Sequence, residues 1–197
     1  MFRKCKSEKF VMAGIFVWMT TAGIGCQTQA PVETAVIPTH EQMVERGNYL
    51  VTTFACNDCH TPFKMGPSGP EPDMTRMLSG HPEGIKLPPP PDLSMDGWVS
   101  SSNATNTAFA GPWGITYSPN LTSDQNTGLG IWDEEMFLKA LRSGRHMGDG
   151  RPIQPPMPWP WIAKMTDEDL KAIFAYLKST PPIENHVPDY EEPPARE

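Results

Sequence analysis

The run Cys56-Asn57-Asp58-Cys59-His60 is the part of this 197-residue sequence best suited to do chemistry. Two thiols three places apart, at the start of a helix, reach one edge of a flat macrocycle together. Each adds across a vinyl group to make a thioether. The imidazole that follows lies under the ring and binds its metal. The pattern predicts one covalently attached haem, haem c, with Cys56 and Cys59 as anchors and His60 as an iron ligand. A thioredoxin-like dithiol needs a preceding strand in an α/β frame, and a structural zinc site needs a second cysteine or histidine pair. Neither is apparent.

The other face of the iron needs a second ligand. Pro155-Pro156-Met157-Pro158-Trp159 supplies the best candidate. A thioether is a weak, neutral donor on a flexible side chain, and it favours Fe(II). Prolines on both sides of Met157 restrict the backbone and lower the cost of holding the sulfur in place. Met147 and His146, in the glycine-rich run 145–150, are the rivals. Haem propionates, once buried, need hydrogen-bond donors or a cation. Tyr117, Asn120 and Thr122 are candidate donors, and Arg145 and Arg151 candidate cations.

Helices must position these groups. Residues 40–55 carry Met43, Gly47, Leu50 and Phe54 on one face, flanked by Val44 and Val51, with Thr39 and Gln42 placed to form a capping box. Gly47 costs about 1 kcal/mol inside a helix, which close approach of another helix would offset. Asp133 caps a helix running to about Arg142, with Trp132, Met136, Phe137, Ala140 and Leu141 on its inner face and Gly144 at its end. Thr166 opens a last helix, and Asp169 stands where the reciprocal glutamate of a box would be. Its stripe is Leu170, Ile173, Phe174 and Leu177, and Tyr176 beside it can pack across Gly47. Residues 61–112 read as turns, with a loop at Met65–Pro70, a rigid spacer at Pro88–Pro91 and a short helix over 73–79. The expected fold class is all-α, with long irregular loops around one covalently bound haem.

The N-terminus reads as a targeting segment. Arg3, Lys4, Lys6 and Lys9 precede an uncharged run from Phe10 to Gly25, the form of an export signal. An uncleaved N-terminal anchor helix is the competing reading. Small residues precede Cys26, as in the processing box of bacterial lipoproteins, and acyl chains there would tether the chain to a membrane at ~0.8 kcal/mol per buried CH₂. The expected organisation is a lipoprotein-like signal peptide over 1–25, a flexible tether over 26–38, a monohaem domain over 39–182 and a loose acidic, proline-rich tail over 183–197. The chain holds 16 basic and 23 acidic residues, a formal charge of −7. Loss of residues 1–25 removes Arg3, Lys4, Lys6, Lys9 and Glu8, leaving 12 basic and 22 acidic residues, or −10. Such a surface has no basic surplus with which to displace counterions from nucleic acid. Proline, at 23 residues, and a 38% apolar content leave room for one modest core rather than a large α/β enzyme domain.

The order of helix, C-x-x-C-H, loops, helix, proline-flanked methionine and terminal helix resembles the class I cytochrome c family over residues 39–182. Tyr117-Ser118-Pro119-Asn120-Leu121-Thr122, Thr127-Gly128-Leu129-Gly130-Ile131-Trp132 and Met157-Pro158-Trp159 are similar to single haem domains of the cytochrome c subunits of bacterial alcohol and gluconate dehydrogenases. The resemblance implies that His60 and Met157 are the axial ligands and that the first and last helices cross at Gly47 and Tyr176. Those subunits carry three haem motifs; this chain has one. The function expected is that of an exported monohaem c-type cytochrome, not an enzyme, passing single electrons between redox partner proteins by Fe(III)/Fe(II) cycling. It would sit on the periplasmic side of a bacterial membrane, and its acidic surface suits partners with a positive docking patch. Two alternatives are a haem-bearing structural or relay subunit of a membrane respiratory or dehydrogenase complex, and a haem enzyme or gas sensor with a labile distal ligand.

Overall fold

Thr39 opens the first helix as its sequence predicts. Its hydroxyl accepts from the Gln42 N–H and the Gln42 side chain reaches back to the Thr39 N–H, a closed capping box. The computed structural model describes residues 37–91 and 97–193. The export segment 1–25, Cys26 and the tether as far as Val36 lie outside the described residues, as do residues 194–197. Helix α1 spans His40–Thr53, α2 Cys56–His60, α3 Glu134–Ser143, α4 Trp159–Ile162 and α5 Asp167–Ser179.

Helices α1 and α5 pack against each other through Gly47. A Cβ at that position would lie 1.9 Å from the Ala172 carbonyl oxygen and 2.7 Å from Tyr176 Cβ. Only hydrogen at residue 47 lets the backbones meet, and Tyr176 crosses there as the sequence suggests. The buried face of α1 is Gly47, Leu50 and Val51, whereas Phe54 is the C-cap residue and stands half exposed. The face is thus rotated from the expected one, because Val51 rather than Phe54 meets the core. Leu170, Ile173, Phe174 and Leu177 of α5 form its stripe, joined by Phe137 and Leu141 of α3. Asp133 caps α3 through the Met136 N–H, and Gly144 ends it at φ +66°. Thr166 caps α5, but Asp169 makes no box; it bonds Arg46 of α1 instead.

The all-α expectation fails in residues 63–117, so the fold is mixed, with two small antiparallel sheets beside the helices. Strands β1 (Phe63–Gly66) and β2 (Gly69–Pro72) form a hairpin closed over Pro67 and Ser68, with Gly66 opposite Gly69. Strands β3 (Ser101–Ser102), β4 (Ala108–Gly111) and β5 (Gly114–Tyr117) form a three-stranded sheet in that order. Gly114, at φ +101°, turns the chain between β4 and β5. Strands of two to four residues are too short to display alternation, and prolines inside β2 hide it further. The expected helix over 73–79 is a single 3₁₀ turn at Met74–Arg76.

The end of the chain is also unlike its expectation of a loose tail. Residues 183–193 lie along the body as a strap. Ile115 and Glu191 exchange backbone hydrogen bonds in both directions, which adds the strap to the open edge of β5. Tyr117 donates to the Glu191 carboxylate at 2.5 Å and Tyr190 to the Trp113 carbonyl. Asn185 is buried. Acidic, proline-rich composition signals a solvated segment, but pairing to a sheet edge needs only backbone and a few side chains.

Candidate haem site

The helix that carries the two cysteines is only five residues long, so it is positioned by its surroundings rather than by its own length. Ala55, in the left-handed region at φ 55°, turns the chain sharply from α1 into α2. Asn106, in the β3–β4 connection, donates to the Asp58 carbonyl at 2.8 Å. Thr61, fully buried, donates to the Asn57 side chain and accepts from the Leu78 N–H, both at 2.8 Å. The irregular half of the molecule therefore holds the cysteine helix through Asp58 and its C-cap Thr61.

Cys56 and Cys59 are free thiols, each partly buried, and Cys56 packs against the main apolar core. Burial pushes the Cys56 thiol up to about 11, with the neighbouring Cys59 and Asp58 adding to the rise. Burial raises Cys59 too, followed by the charge of Asp58. His60 is buried, and its Nδ1 lies 2.9 Å from the Pro119 carbonyl oxygen. A carbonyl only accepts, so Nδ1 carries the proton and the Nε2 lone pair is left to bind a metal. Burial lowers the His60 pKa, outweighing the opposing pull of Pro119, and keeps the ring neutral as ligation requires.

Met157 is half-buried and packs against the same apolar cluster as Cys56. Its rivals sit in the 3₁₀ turn at His146–Gly148. His146 is exposed, with its ring edge-on to Trp132, and Met147 adopts φ 53°. The donor set fits a haem: two unpaired thiols, a neutral imidazole with its tautomer fixed, and a thioether on the same core. Among the described residues no cluster of three or more histidine, cysteine or carboxylate side chains is placed to hold a metal ion of another kind.

The five expected propionate contacts divide. Tyr117, Asn120 and Arg151 line one open cavity of about 220 Å³, together with Pro119, His186 and Asp189. Thr122 lies off it, and Arg145 is exposed and donates to the Gly150 carbonyl. Several polar atoms of this group are already used within the chain. Tyr117 donates to Glu191, and burial together with that carboxylate pushes the phenol up to about 12. Asn120 donates to Thr127 and to the Ile183 carbonyl, and it accepts from the Thr122 N–H and hydroxyl. Sequence reasoning assigns no role to Pro119, whose carbonyl fixes the imidazole. A proline in a polar turn, with no N–H to pair and an acceptor to offer, is the only signal the sequence carries for it.

Relatives agree with this chemistry. The family model for cytochrome c matches residues 44–181. The fructose dehydrogenase cytochrome subunit of Gluconobacter japonicus is 30% identical over 156 residues, which is 79% of this chain and 25% of that protein. The cytochrome c subunit of the quinone alcohol dehydrogenase of Gluconobacter oxydans is 27% identical over 179 residues, 89% of this chain and 30% of the relative. The cytochrome c subunit of the gluconate 2-dehydrogenase of Pantoea cypripedii is 30% identical over 138 residues, 70% of this chain and 23% of the relative. This chain thus spans a third or less of the length of each. The single C-x-x-C-H helix, its buried histidine and a family match over most of the chain lead to one conclusion: this chain belongs to the cytochrome c family and carries one covalently bound haem c.

Proposed function

We propose that the chain is the electron-relay subunit of a membrane-associated dehydrogenase complex, placed on the periplasmic side. As a cytochrome c it is an electron carrier and turns over no substrate itself. The bound haem supplies one-electron cycling between Fe(III) and Fe(II). Cys56 and Cys59 would hold it by thioethers, and His60 and Met157 would bind its iron. The observation that carries the reading is His60: a buried imidazole with Nδ1 on a backbone carbonyl, directly after two free thiols. The relay role, rather than that of a freely diffusing shuttle, is supported by likeness to dehydrogenase cytochrome subunits over 70 to 89% of the chain.

Residues 26–38 serve as the tether, with lipid at Cys26 as the anchor. No helix among the described residues is long and apolar enough to cross a membrane. The acidic surface meets a positive patch on the partner.

The test is purification of the full chain from detergent-solubilised membranes. It should co-purify with a dehydrogenase at fixed stoichiometry, and the α-band of reduced haem should appear when alcohols, sugars or sugar acids are supplied. A chain that runs alone, with haem left oxidised by every substrate, would sink the relay role. Met157→Ala should abolish the sulfur-to-iron charge-transfer band of the oxidised protein, and persistence of that band would remove Met157 as the ligand.

A further inference from the structure

The hydrogen bond between His60 and Pro119 does not stand alone. Gly80 lies directly against the acceptor peptide: a Cβ there would sit 2.4 Å from the Ser118 carbonyl oxygen and 2.6 Å from the Pro119 carbonyl carbon. The Gly80 N–H also donates to the His60 carbonyl at 2.8 Å, and the His81 N–H donates to the Ser118 carbonyl at 2.9 Å. Residues 79–81 therefore touch both the histidine and its acceptor. Asn185 of the strap clamps that loop. Its Nδ2 donates to the Ser79 carbonyl at 2.7 Å and to the His81 carbonyl at 2.8 Å, one on each side of Gly80. Its Oδ1 accepts from the Glu83 N–H at 3.0 Å and from Arg76 at 3.2 Å. All four hydrogen-bonding positions of a 2%-exposed amide are thus used. On the other side of Pro119, Asn120 donates to the Ile183 carbonyl at 2.7 Å, and the Ile183 N–H donates to Thr122 at 3.2 Å. Two strap residues, 183 and 185, grip the segments on either side of the acceptor.

We propose that the C-terminal strap, through Asn185 and Ile183, is the device that positions the Pro119 carbonyl on His60 and so sets the donor strength of the iron's imidazole. Asn185 is a positioning residue: it acts on the ring through residues 79–81 and the Ser118–Pro119 peptide. A held Nδ1–H···O bond gives the ring more imidazolate character, strengthens its donation and favours Fe(III). Loosening the strap weakens that bond and raises the midpoint potential. The proposal rests on His60 being an axial ligand.

The experiment uses the full haem-loaded chain with Asn185→Leu, Asn185→Ala and, as a comparison, Tyr190→Phe, which frees the far end of the strap from Trp113 without touching the clamp. Midpoint potential and solvent exchange of the His60 Nδ1 proton, by NMR of the reduced protein, are the readouts. Both Asn185 variants should show a higher potential and exchange faster by about tenfold or more, while Tyr190→Phe leaves both near wild type. Unchanged potential and exchange in folded Asn185 variants would overturn the proposal and leave His60 ligation standing. If the wild-type spectrum shows no histidine ligation, the site reading and this proposal fall together. Native-state exchange of the unaltered protein tests it with no variant. The His60 Nδ1 proton and the Ile183 N–H should open with one shared free energy, and independent opening would defeat the proposal.

Discussion

The α1–α5 crossing and the strap region hold the same haem-binding helix by different means. At the crossing, two helix backbones meet through Gly47, and apolar side chains such as Leu50, Val51, Leu170 and Leu177 fill the space around them. In the strap region, the buried side chains are Thr61, Ser79, His81, Thr107, Asn120, Thr122 and Asn185. Thr61, Asn120, Thr122 and Asn185 act by hydrogen bonds to backbone, His81 and Thr107 bond each other, and Asn185 ties several segments. Packing tolerates the loss of one polar contact but not added volume. A polar network behaves the other way, because each orphaned buried group carries its own desolvation cost.

That contrast is open to direct attack. Gly47→Val should have the largest effect, since its Cβ meets backbone and not a flexible side-chain end. A loss of about 3 kcal/mol is expected, read as a fall in thermal or denaturant midpoint. A stability near wild type would show that α1 and α5 can separate without harm. Lys178→Met comes next. The ammonium of α5 donates to the carbonyls of Leu129, Gly130 and Trp132 and so joins the helical half to the loop before α3. Removing it should cost about 2 kcal/mol in chemical denaturation, because the Gly130 and Trp132 carbonyls lose a charged donor while that of Leu129 keeps only the Trp132 N–H. Asn103→Ala sharpens the polar side of the comparison. Its Oδ1 accepts the N–H groups of Thr107 and Ala108, and about 1.5 kcal/mol should be lost while the α1–α5 contact keeps its exchange protection. The smallest effect is on pH. Burial lowers the pKa of His81, with Arg76 adding to it. Below the ordinary histidine value of 6.5 the unfolded chain binds protons that the fold excludes. Stability should be full above that pH and decline as pH falls beneath it, measured by thermal midpoint between neutral and mildly acid buffer. A rise in stability on acidification would contradict the burial of the His81 ring.

The two regions also differ in how far they can be read from sequence. Helices α1, α3 and α5 announce themselves through caps at Thr39, Asp133 and Thr166 and through apolar spacing, because helical hydrogen bonds are local and the period repeats along the chain. Spacing misleads only in detail, as at Phe54, where the helix ends and its side chain turns outward. The β1–β2 hairpin and the β3–β5 sheet are invisible as sheets, since each strand is shorter than the pattern needed to recognise it. The strap is hidden because composition describes average solvation and says nothing of a partner edge.

What the sequence determined by itself is the chemistry: two thiols and an imidazole at covalent spacing, on one short helix, need no tertiary information to be recognised as a haem attachment site. It also pointed to close approach of another helix at Gly47. Only the tertiary structure decided which atom holds His60 in place, that Asn185 and Ile183 brace the loop around that atom, and which of the five candidate propionate contacts share one cavity. Those relations join residues 59 to 125 positions apart, such as His60 with Pro119 and His60 with Asn185. No local spacing encodes them, because they arise from backbone carbonyls, which every residue has and only the fold selects.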